Sequence, residues 1–342
     1  MHITEIRAHQ PPTPGSPDDW RTQLGQIVVE VQTDSRLIGI GVGGGGAAGI
    51  HVVETVLRDL LLGREIDDVR DLHREMCEHT AFYGRKGLAV MAISGVDLAL
   101  WDLAGKEAGV NVAILLDSDI DLTQTLPTYS TVFDDEDAEA AINAGHQAIK
   151  LHVERFGDRP ETREIAELVR RTRERLGSAA ATIMIDAFAQ WDVATSLRVA
   201  QAVAPFDVAW LEEPVQPDDL AAYAELSAKS LVPIAGGEHE YLAEGFRELI
   251  DRRLHAVLQP DINWCGGLTT LIEIYRMAND AGIRVCPHRG CEPYALPAIA
   301  ALDPNPLAES SRKWFRCLAD APQIIDGRIQ LSSRPGFGVT LA

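Results

Sequence analysis

Five short stretches recur along the chain at a nearly constant spacing, and each brings an ionisable residue after a short apolar or glycine-containing run. They occupy residues 183–186, 210–214, 236–238, 259–261 and 285–288. Their ionisable residues, at 186, 212, 238, 261 and 288, are separated by 26, 26, 23 and 27 positions. One strand followed by one helix takes about that length of chain. The spacing therefore predicts a parallel β/α barrel with functional groups at the carboxyl ends of its strands.

Composition limits the class of protein. The chain has 342 residues, of which 46% are hydrophobic and 24% charged, as in a soluble globular protein of about two domains. Its net charge of −20 argues against a nucleic-acid or membrane partner, because both require basic surface. A small anionic substrate stays compatible with this charge, since one metal ion and one lysine reverse the sign locally.

Two further features concern location. The five cysteines, at positions 77, 265, 286, 291 and 317, lack the spacing of zinc sites, and their odd number suits a reducing cytoplasm. The first residues contain neither a basic segment nor an apolar run, so we expect no signal peptide. We also expect no membrane span, because no apolar run approaches 18 to 20 residues.

Residues 1–123 are predicted to form a separate α+β domain. A hairpin is expected over 27–31 and 37–42, followed by helices over 51–62, 67–78 and 86–108. The loops at 11–19 and 43–49 are either simple connections or a lid over the barrel mouth. Asp97 and Asp102, on the otherwise apolar third helix, are expected to be structural hydrogen-bond acceptors. Gly109 is expected to end that helix.

Residues 124–317 are predicted to form the barrel. We expect strands over 126–131, 148–153, 232–235, 255–260, 283–286 and 307–309, with two more ending at 186 and 212. Helices are expected over 161–176, 193–203, 217–229, 242–253 and 268–281. The tail at 326–340 is expected to contain strands that return to the first domain, so that residues 318–342 complete it.

Asp186, Glu212 and Glu238 are predicted to lie at the mouths of three adjacent strands. Three carboxylates in that position repel one another unless a cation binds among them. Carboxylate oxygens suit one Mg²⁺ per subunit, although Ca²⁺ and Mn²⁺ also accept such ligands. Taken singly, each carboxylate is more often a solvated or salt-bridged strand end than a metal ligand; the spaced trio is what favours the metal.

Two pairs of residues predict proton-transfer chemistry. Lys150 and His152 lie two apart on one strand and therefore share a face. Asp261 and His288 end successive strands, where the carboxylate would fix the tautomer of the imidazole. No GxSxG motif and no cysteine beside a base is present, and the glycines at 43–46 do not match a dinucleotide-binding loop.

Longer motifs resemble a known family. Residues 92–106, which read AISGVDLALWDLAGK, are similar to the capping-domain helix of the enolase superfamily, mandelate racemase subgroup. Residues 82–87, 237–241, 259–261 with 264–268, and 335–338 most resemble rhamnonate-type acid-sugar dehydratases. The resemblance covers nearly the whole chain. It implies a (β/α)7β modified TIM barrel with an α+β cap built from both chain ends.

The resemblance also implies roles for residues. Asp186, Glu212 and Glu238 match the magnesium ligands, and Asp261 with His288 matches the catalytic dyad. Lys150 would neutralise a substrate carboxylate, and His152 would face His288 from the opposite side. Glu309 is expected either to hydrogen-bond an enediolate or to be a structural carboxylate. Candidates for substrate contacts are Trp20, Arg21, His51, Tyr83 and His239.

The implied reaction removes the proton beside a carboxylate and then the 3-hydroxyl group, which gives a 2-keto-3-deoxy acid. A racemase, an epimerase or a lactone cycloisomerase uses the same first step and remains an alternative, as does a non-catalytic metal-bound protein. Where relatives have Lys-x-Lys, Asp-Ala-Asn and His-Gly-Ser-Ser, this chain has Lys150-x-His152, Phe188 after Asp186-Ala187, and Arg289-Gly290-Cys291 after His288. The loop at 11–19 is also shorter. These departures concern substrate contacts, so the sugar is left open. We expect a homo-oligomer.

Overall fold

The cap contains a three-stranded antiparallel sheet covered by helices. The computed structural model describes residues 1–11, 24–177, 181–310 and 317–342. The sheet has the order β1-β2-β3, with β1 at Ile3–His9, β2 at Ile27–Thr33 and β3 at Ile38–Gly43. The helices are α1 at Gly46–His51, α2 at Arg58–Leu61, α3 at Val69–Thr80, α4 at Leu88–Ala108 and α5 at Val112–Leu116, and a π-helical turn at Val52–Leu57 joins α1 to α2.

Helix α4 packs directly on β3 because glycines face it. A methyl group at Gly41 would lie 2.0 Å from the carbonyl oxygen of Gly95, so only glycine permits this approach. Gly109 follows the last turn with φ 70°, which confirms it as the helix terminator. By length and composition α4 could cross a membrane, but 83% of its apolar window is buried inside the protein. It is the central helix of the cap.

The two aspartates of α4 accept hydrogen bonds, as predicted. Asp97 accepts from the backbone N–H and the hydroxyl group of Thr269, at 3.0 and 2.5 Å, and so joins the cap to the barrel. Asp102 accepts from the N–H groups of Ile40 and Phe337, both at 2.9 Å. Both carboxylates are fully buried, and each holds together segments that are distant in sequence.

The second part of the chain confirms the (β/α)7β barrel. The strands are β4 at Thr125–Val132, β5 at Ala148–His152, β6 at Thr182–Asp186, β7 at Val208–Glu212, β8 at Ile234–Gly236, β9 at Val257–Leu258, β10 at Arg284–Val285 and β11 at Ala308–Glu309. The helices are α6 at Asp135–Asn143, α7 at Thr162–Leu176, α8 at Val193–Val203, α9 at Leu220–Lys229, α10 at Leu242–Asp251, α11 at Gly267–Ala281 and α12 at Leu296–Leu302. All strand pairings from β10 through β4 to β11 are parallel. Short 3₁₀ turns follow β5 at Glu154–Phe156 and α8 at Ala204–Phe206.

The interior of the barrel is filled by one side chain from each strand or its flank. These buried residues are Tyr129, Ala148, Met184, Trp210, Ala235, Val257, Cys286 and Leu307. Because side chains alternate across a strand, the residues two positions further on also point inward, toward the carboxyl end. Residues 131, 150, 186, 212, 259, 288 and 309 lie at those positions. The eight buried side chains of the barrel interior therefore form the floor of the candidate site.

The C-terminal tail contacts both parts of the molecule. Strand β14, at Arg328–Gln330, pairs antiparallel with β4 of the barrel and forms a hairpin with β13, at Ile324–Ile325. Strands β12, at Leu318–Ala319, and β15, at Thr340–Leu341, pair with each other. The bridge from Gly336 to Asn111 and the bond from Phe337 to Asp102 connect the tail to the cap. Strand β14 therefore extends the barrel sheet, while residues 336 and 337 contact the cap.

Candidate active site

Lys150 lies at the centre of the barrel mouth and is almost completely buried. Its Nζ lies 2.6 Å from Glu212 Oε1, 2.9 Å from Glu309 Oε1 and 3.4 Å from Asp186 Oδ2. Burial alone would lower the pKa of Lys150, but the negative charges of Glu212 and Glu309 raise it well above its ordinary value. The ammonium group therefore remains charged and is the principal cation among these carboxylates.

Glu212 is the most crowded of the three predicted metal ligands. Gln259 Nε2 donates to its Oε2 at 2.5 Å, and Trp210 Nε1 donates to the same oxygen at 3.4 Å. Burial raises the pKa of Glu212 to about 8, although Lys150 opposes the rise, and the charge of Asp186 adds to it. Lys150 is one positive charge facing three carboxylates, those of Asp186, Glu212 and Glu309.

Asp186 lies between strands that carry other predicted residues. In the parallel ladder it is paired with His152 on β5 and with Glu212 on β7. His152 Nε2 lies 3.9 Å from Asp186 Oδ2. The structure therefore brings Lys150, His152, Asp186 and Glu212 together, as the strand spacing predicted.

Glu238 connects two groups of side chains. Its Oε2 lies 3.1 Å from His288 Nε2, and its Oε1 lies 3.5 Å from His239 Nδ1. His239 Nδ1 also lies 2.8 Å from Glu213 Oε2. Burial raises the pKa of Glu238, but the charges of His288 and His239 outweigh that effect and lower it. His239, a candidate for substrate contact, therefore lies beside Glu238 and Glu213.

Asp261 and His288 form the predicted pair. His288 Nδ1 lies 3.2 Å from Asp261 Oδ2, and the backbone N–H of Asn263 donates to Asp261 Oδ1 at 2.9 Å. Burial lowers the pKa of His288, but Glu238 and Glu309 raise it above its ordinary value. The buried guanidinium group of Arg289 also forms an ion pair with Asp261. One carboxylate therefore contacts both the imidazole of His288 and the guanidinium group of Arg289.

Glu309 lies between Lys150 and His288. It accepts from the hydroxyl group of Thr131 and from the backbone N–H of Arg289, both at 2.7 Å. Burial raises its pKa, but Lys150 and His288 outweigh this and bring it to about 2. Glu309 is therefore an ionised carboxylate fixed against Lys150, a geometry compatible with both of its predicted roles.

The cap candidates are not brought into this cluster in the described part of the chain. Trp20 and Arg21 lie outside the described residues. His51 is exposed at the end of α1, where its carbonyl oxygen accepts from Thr55. Tyr83 is exposed on the loop after α3. In the same loop Lys86 Nζ lies 2.9 Å from Asp218 and 3.1 Å from Glu240, so this part of the cap does reach the barrel loops.

The donor set fits a divalent cation. Asp186, Glu212 and Glu238 are all more than nine-tenths buried, and they supply only oxygen. Burial, with a smaller contribution from the charge of Asp186, raises the pKa of Glu212, and a hard cation bound among the carboxylates would offset both effects. Among the described residues, the group whose ligand atoms lie within 4.8 Å of one another is a different one, Glu213, Glu238 and His239, which shares Glu238 with the predicted set. The tight grouping of this second set was not predicted.

Several contacts of the site could not be found from the spacing alone. Glu213 directly follows a predicted ligand and has φ 36°, so its side chain reaches the neighbouring loop. The doubled glutamate in the Glu-Glu-Pro stretch was the available signal. Gln259 lies on the inward face of the barrel, and Arg289 directly follows His288 in the chain. Gln259 contacts Glu212 and Arg289 contacts Asp261, and both contacts depend on the tertiary fold.

A cavity of about 460 Å³ lies at the opposite end of the barrel. It is lined by Pro127, Ile142, His146, Gln147, Ala148, Ala181, Thr182, Arg284, Asn305, Pro306 and Leu307. These residues flank the amino ends of the strands, where barrels of this type carry stability rather than catalysis. The ionisable cluster at the carboxyl ends of the strands, not this cavity, marks the candidate active site.

His255 is buried beside Gly236 of β8, and its burial leads us to expect a pH dependence of stability. Its Nε2 lies where a side chain on Gly236 would be, its ring lies 4.5 Å from that of Tyr223, and burial lowers its pKa to about 3. The unfolded chain therefore binds the proton more tightly, so stability is lost as the pH falls below about 6.5. From pH 7 to pH 5 we expect this residue to cost about 2 kcal/mol of unfolding free energy.

Urea unfolding of the wild type and of His255→Gln at pH 7, 6 and 5 checks this expectation. The variant should lose less stability over this range, because glutamine does not titrate. Parallel pH dependences in the two proteins would show that His255 does not carry the effect.

Comparison with known proteins places these findings in a wider group. Residues 16–117 match the family model described as mandelate racemase/muconate lactonizing enzyme, N-terminal domain, and residues 134–342 match the enolase C-terminal domain-like family. An L-rhamnonate dehydratase of Saccharopolyspora erythraea is 34% identical over 330 residues, which are 93% of this chain and 83% of that protein.

Two solved structures are similar over the full length of the chain. The 3,6-anhydro-D-galactonate cycloisomerase of Zobellia galactanivorans is 26% identical, with a TM-score of 0.88 and 97% of its chain covered. The L-talarate dehydratase of Polaromonas sp. JS666, solved with Mg and L-glucarate, is 30% identical, with a TM-score of 0.87 and 95% of its chain covered.

Proposed function

The chain belongs to the mandelate racemase/muconate lactonizing enzyme family of the enolase superfamily, and from this premise we propose that it is a magnesium-dependent dehydratase of sugar acids. It is an enzyme, and the relative with 34% identity is a dehydratase and therefore a lyase. The observation that carries the proposal is the position of Lys150 among buried carboxylates, with the His288–Asp261 pair beside Glu238.

Asp186, Glu212 and Glu238 would hold the Mg²⁺ ion, which supplies positive charge for a substrate carboxylate. Lys150 binds the other oxygen of that carboxylate, so that negative charge develops against a cation already in place. Its burial among Glu212 and Glu309 keeps it protonated and fixes its position. The substrate is therefore anchored by its acid group at Lys150, in the barrel mouth.

His288 moves a proton at Nε2, the ring nitrogen that faces Glu238. Asp261 holds Nδ1 and therefore orients the imidazole. In the proposal His288 either removes the C2 proton or protonates the departing 3-hydroxyl group. His152, the last residue of β5, lies beside Asp186 and is proposed as the second proton-transfer residue, on the side of the substrate opposite His288. The product is a 2-keto-3-deoxy acid, formed with loss of one water molecule.

An isomerase that uses the same proton removal is the second candidate. Two histidines flank the carboxylate site, and one solved relative is a cycloisomerase. A racemase or epimerase returns a proton to C2 without losing water, whereas a dehydratase forms a 2-keto acid. The two reactions therefore differ in their products.

A panel of sugar acids incubated with the protein and Mg²⁺ in D₂O tests the proposal. We expect a 2-keto acid to accumulate with at least one member of the panel. Deuterium at C2 without loss of water would favour the isomerase. No turnover or exchange with any acid, despite measurable binding, would favour a non-catalytic binding protein.

The setting of the enzyme is also a proposal. All five cysteines are free thiols, and three of them are buried, which suits the reducing cytoplasm. The substrate is a small hydroxy acid, and the net charge of −20 disfavours nucleic acid and anionic membrane as partners. We propose a homo-oligomer, which light scattering of the purified protein tests.

A further inference from the structure

The amino end of the barrel contains a cavity that the proposed reaction does not use. Its volume of about 460 Å³ lies within the range of small-molecule sites. Parallel barrels usually fill their interior layers with bulky branched side chains. Here the cavity is lined by inward-facing residues that lie two positions before the buried residues of the barrel interior, and none of them is Val, Ile or Leu: Pro127, His146, Thr182, Arg284 and Asn305.

Arg284, on β10, brings unpaired hydrogen-bond donors to this cavity. Its guanidinium carbon lies 5.7 Å from the centre of the Trp210 ring, which packs against the guanidinium group from the barrel interior. Nε is buried without a hydrogen-bond partner, and Nη1 and Nη2 donate to none of the described residues. Arg284 is partly exposed and lines the cavity, so a ligand there reaches its terminal nitrogens. A carboxylate is the natural partner of such a group, because it accepts two parallel N–H bonds.

Asp303 is the carboxylate whose charge acts on Arg284 from within the protein, but it has other partners. The hydroxyl group of Tyr275 donates to its Oδ2 at 3.3 Å, and the backbone N–H of Asn305 donates to its Oδ1 at 2.8 Å. Burial raises the pKa of Asp303, and the bond from Asn305 and the charge of Arg284 only partly oppose the rise. A ligand carboxylate therefore approaches the terminal nitrogens of Arg284 without displacing Asp303.

His146 supplies a hydrogen-bond acceptor in the same layer. Its Nδ1 lies 2.7 Å from Thr128 Oγ1, and that hydroxyl group donates to the carbonyl oxygen of Gly327, also at 2.7 Å. Because a hydroxyl group has only one hydrogen to donate, Nδ1 carries the ring proton and donates to Thr128. Burial lowers the pKa of His146, so the ring is neutral at pH 7. Nε2 is therefore an acceptor on a residue that lines the cavity.

We propose that the cavity is a second, non-catalytic binding site for a small hydroxy carboxylate. The acid group binds Nη1 and Nη2 of Arg284, and the hydroxyl group donates to Nε2 of His146. The carbon chain lies against Pro127 and Leu307 of the lining. One arginine beside a neutral imidazole suits a monoanion that also has a donor. The inference does not depend on the proposed function, since Lys150 and the metal ligands lie at the opposite end of the barrel.

Calorimetric titration of the Mg²⁺-loaded protein with three small probes at neutral pH tests the site. Lactate has the acid and the hydroxyl group, propionate lacks the hydroxyl group, and lactamide lacks the charge. We expect lactate to bind a few-fold more tightly than propionate and at least about tenfold more tightly than lactamide. Equal affinities for the three probes, or no binding of lactate, would overturn the proposal.

Removal of Mg²⁺ separates this site from the barrel mouth. Lactate binding in the cavity should persist in the metal-free protein. Binding at the mouth should be lost, since the carboxylates there then repel an anion. Lactate binding that disappears entirely with Mg²⁺ would assign the ligand to the mouth and contradict the second site.

Matched variants assign the two contacts. Arg284→Gln should weaken lactate binding at least about tenfold, and His146→Leu should reduce the affinity for lactate to that for propionate. Arg276→Gln makes the same change of charge on the exposed side of α11 and should leave binding unchanged. Circular dichroism establishes that the variants are folded. Unaltered lactate affinity in folded Arg284→Gln would refute the assignment.

A crystal structure with lactate gives a readout that needs no variant, and it decides the question even if Arg284→Gln does not fold. We expect the lactate carboxylate at the terminal nitrogens of Arg284. Lactate bound only at Lys150, with the cavity empty at saturating lactate, would overturn the proposal.

Discussion

Replacement of His288 with asparagine is expected to lower kcat by about 10²- to 10⁴-fold, the range in which a positioned acid–base group contributes. Asparagine at position 288 keeps a polar side chain facing Asp261, but its amide group cannot accept and return a proton at the working pH. The imidazole is oriented by Asp261 at 3.2 Å and faces Glu238 at 3.1 Å, so no other side chain replaces its Nε2 directly. Steady-state kinetics on an accepted acid measure the effect.

A second histidine provides the control. His146 lies at the amino end of β5, where its Nδ1 is 2.7 Å from the hydroxyl group of Thr128. His146→Asn should leave kcat within about twofold. Circular dichroism and thermal unfolding establish that both variants are folded. Full activity in folded His288→Asn would remove this residue from the mechanism and leave His152 as the acid–base group.

Removal of divalent metal is expected to abolish activity and to lower the thermal stability of the protein. Buried Asp186, Glu212 and Glu238 would then face one another with Lys150 as the main neutralising charge, and burial would hold the pKa of Glu212 at about 8. A ligand present at 100 times its Kd adds about 2.7 kcal/mol to the unfolding free energy. Dialysis against EDTA followed by Mg²⁺ addition, with activity and melting temperature as readouts, measures both effects.

A charge-neutral variant locates the metal. Glu212→Gln should abolish the Mg²⁺-dependent rise in melting temperature as well as activity. Glu225→Gln, on the surface of α9 beside Lys229, should leave both unchanged. Undiminished activity after metal analysis has confirmed removal would contradict a role for the ion. A metal-dependent rise that persists in Glu212→Gln would instead point to the neighbouring Glu213, Glu238 and His239.

The barrel was predictable because its signal is repeated. Each apolar run ends in an ionisable residue, and the ends at Asp186 and Glu212 coincide with the observed strand ends. The later strands are shorter than predicted, since β9 and β10 have two residues each. Pro260 and Pro287 follow them and have no N–H to continue a ladder. Asp261 and His288 therefore lie on loops beyond the strands.

The first strand of the cap was missed for a different reason. The pairing of β1 with β2 shifts register between Ile3 and Glu5, so the alternation of buried and exposed residues is interrupted. Helix α6 was also missed, because its first turn is acidic and only Asp135, Ala138 and Ala141 are buried in it. Strand β1 is stabilised by pairing with β2, and helix α6 by packing of its buried residues, so the local sequence pattern indicates neither element.

Contacts within the site were predictable only as far as strand alternation reaches. That rule places Lys150, Glu212 and His288 on one inward surface. It does not indicate that Arg289 shares Asp261 with His288, or that His239 contacts Glu213. Those contacts depend on loop conformations such as φ 56° at Arg289 and φ 36° at Glu213. One sequence without a structure gives no signal for such backbone geometry.

The bonds of Asp102 have a consequence for the order of assembly during translation. Its carboxylate takes one N–H from Ile40, near the beginning of the chain, and another from Phe337, 235 positions after it. A ribosome releases Phe337 only after the whole barrel has been synthesised. Until then one oxygen of this buried carboxylate lacks the donor it has in the folded protein, so the packing around Asp102 is completed only after the tail has been synthesised.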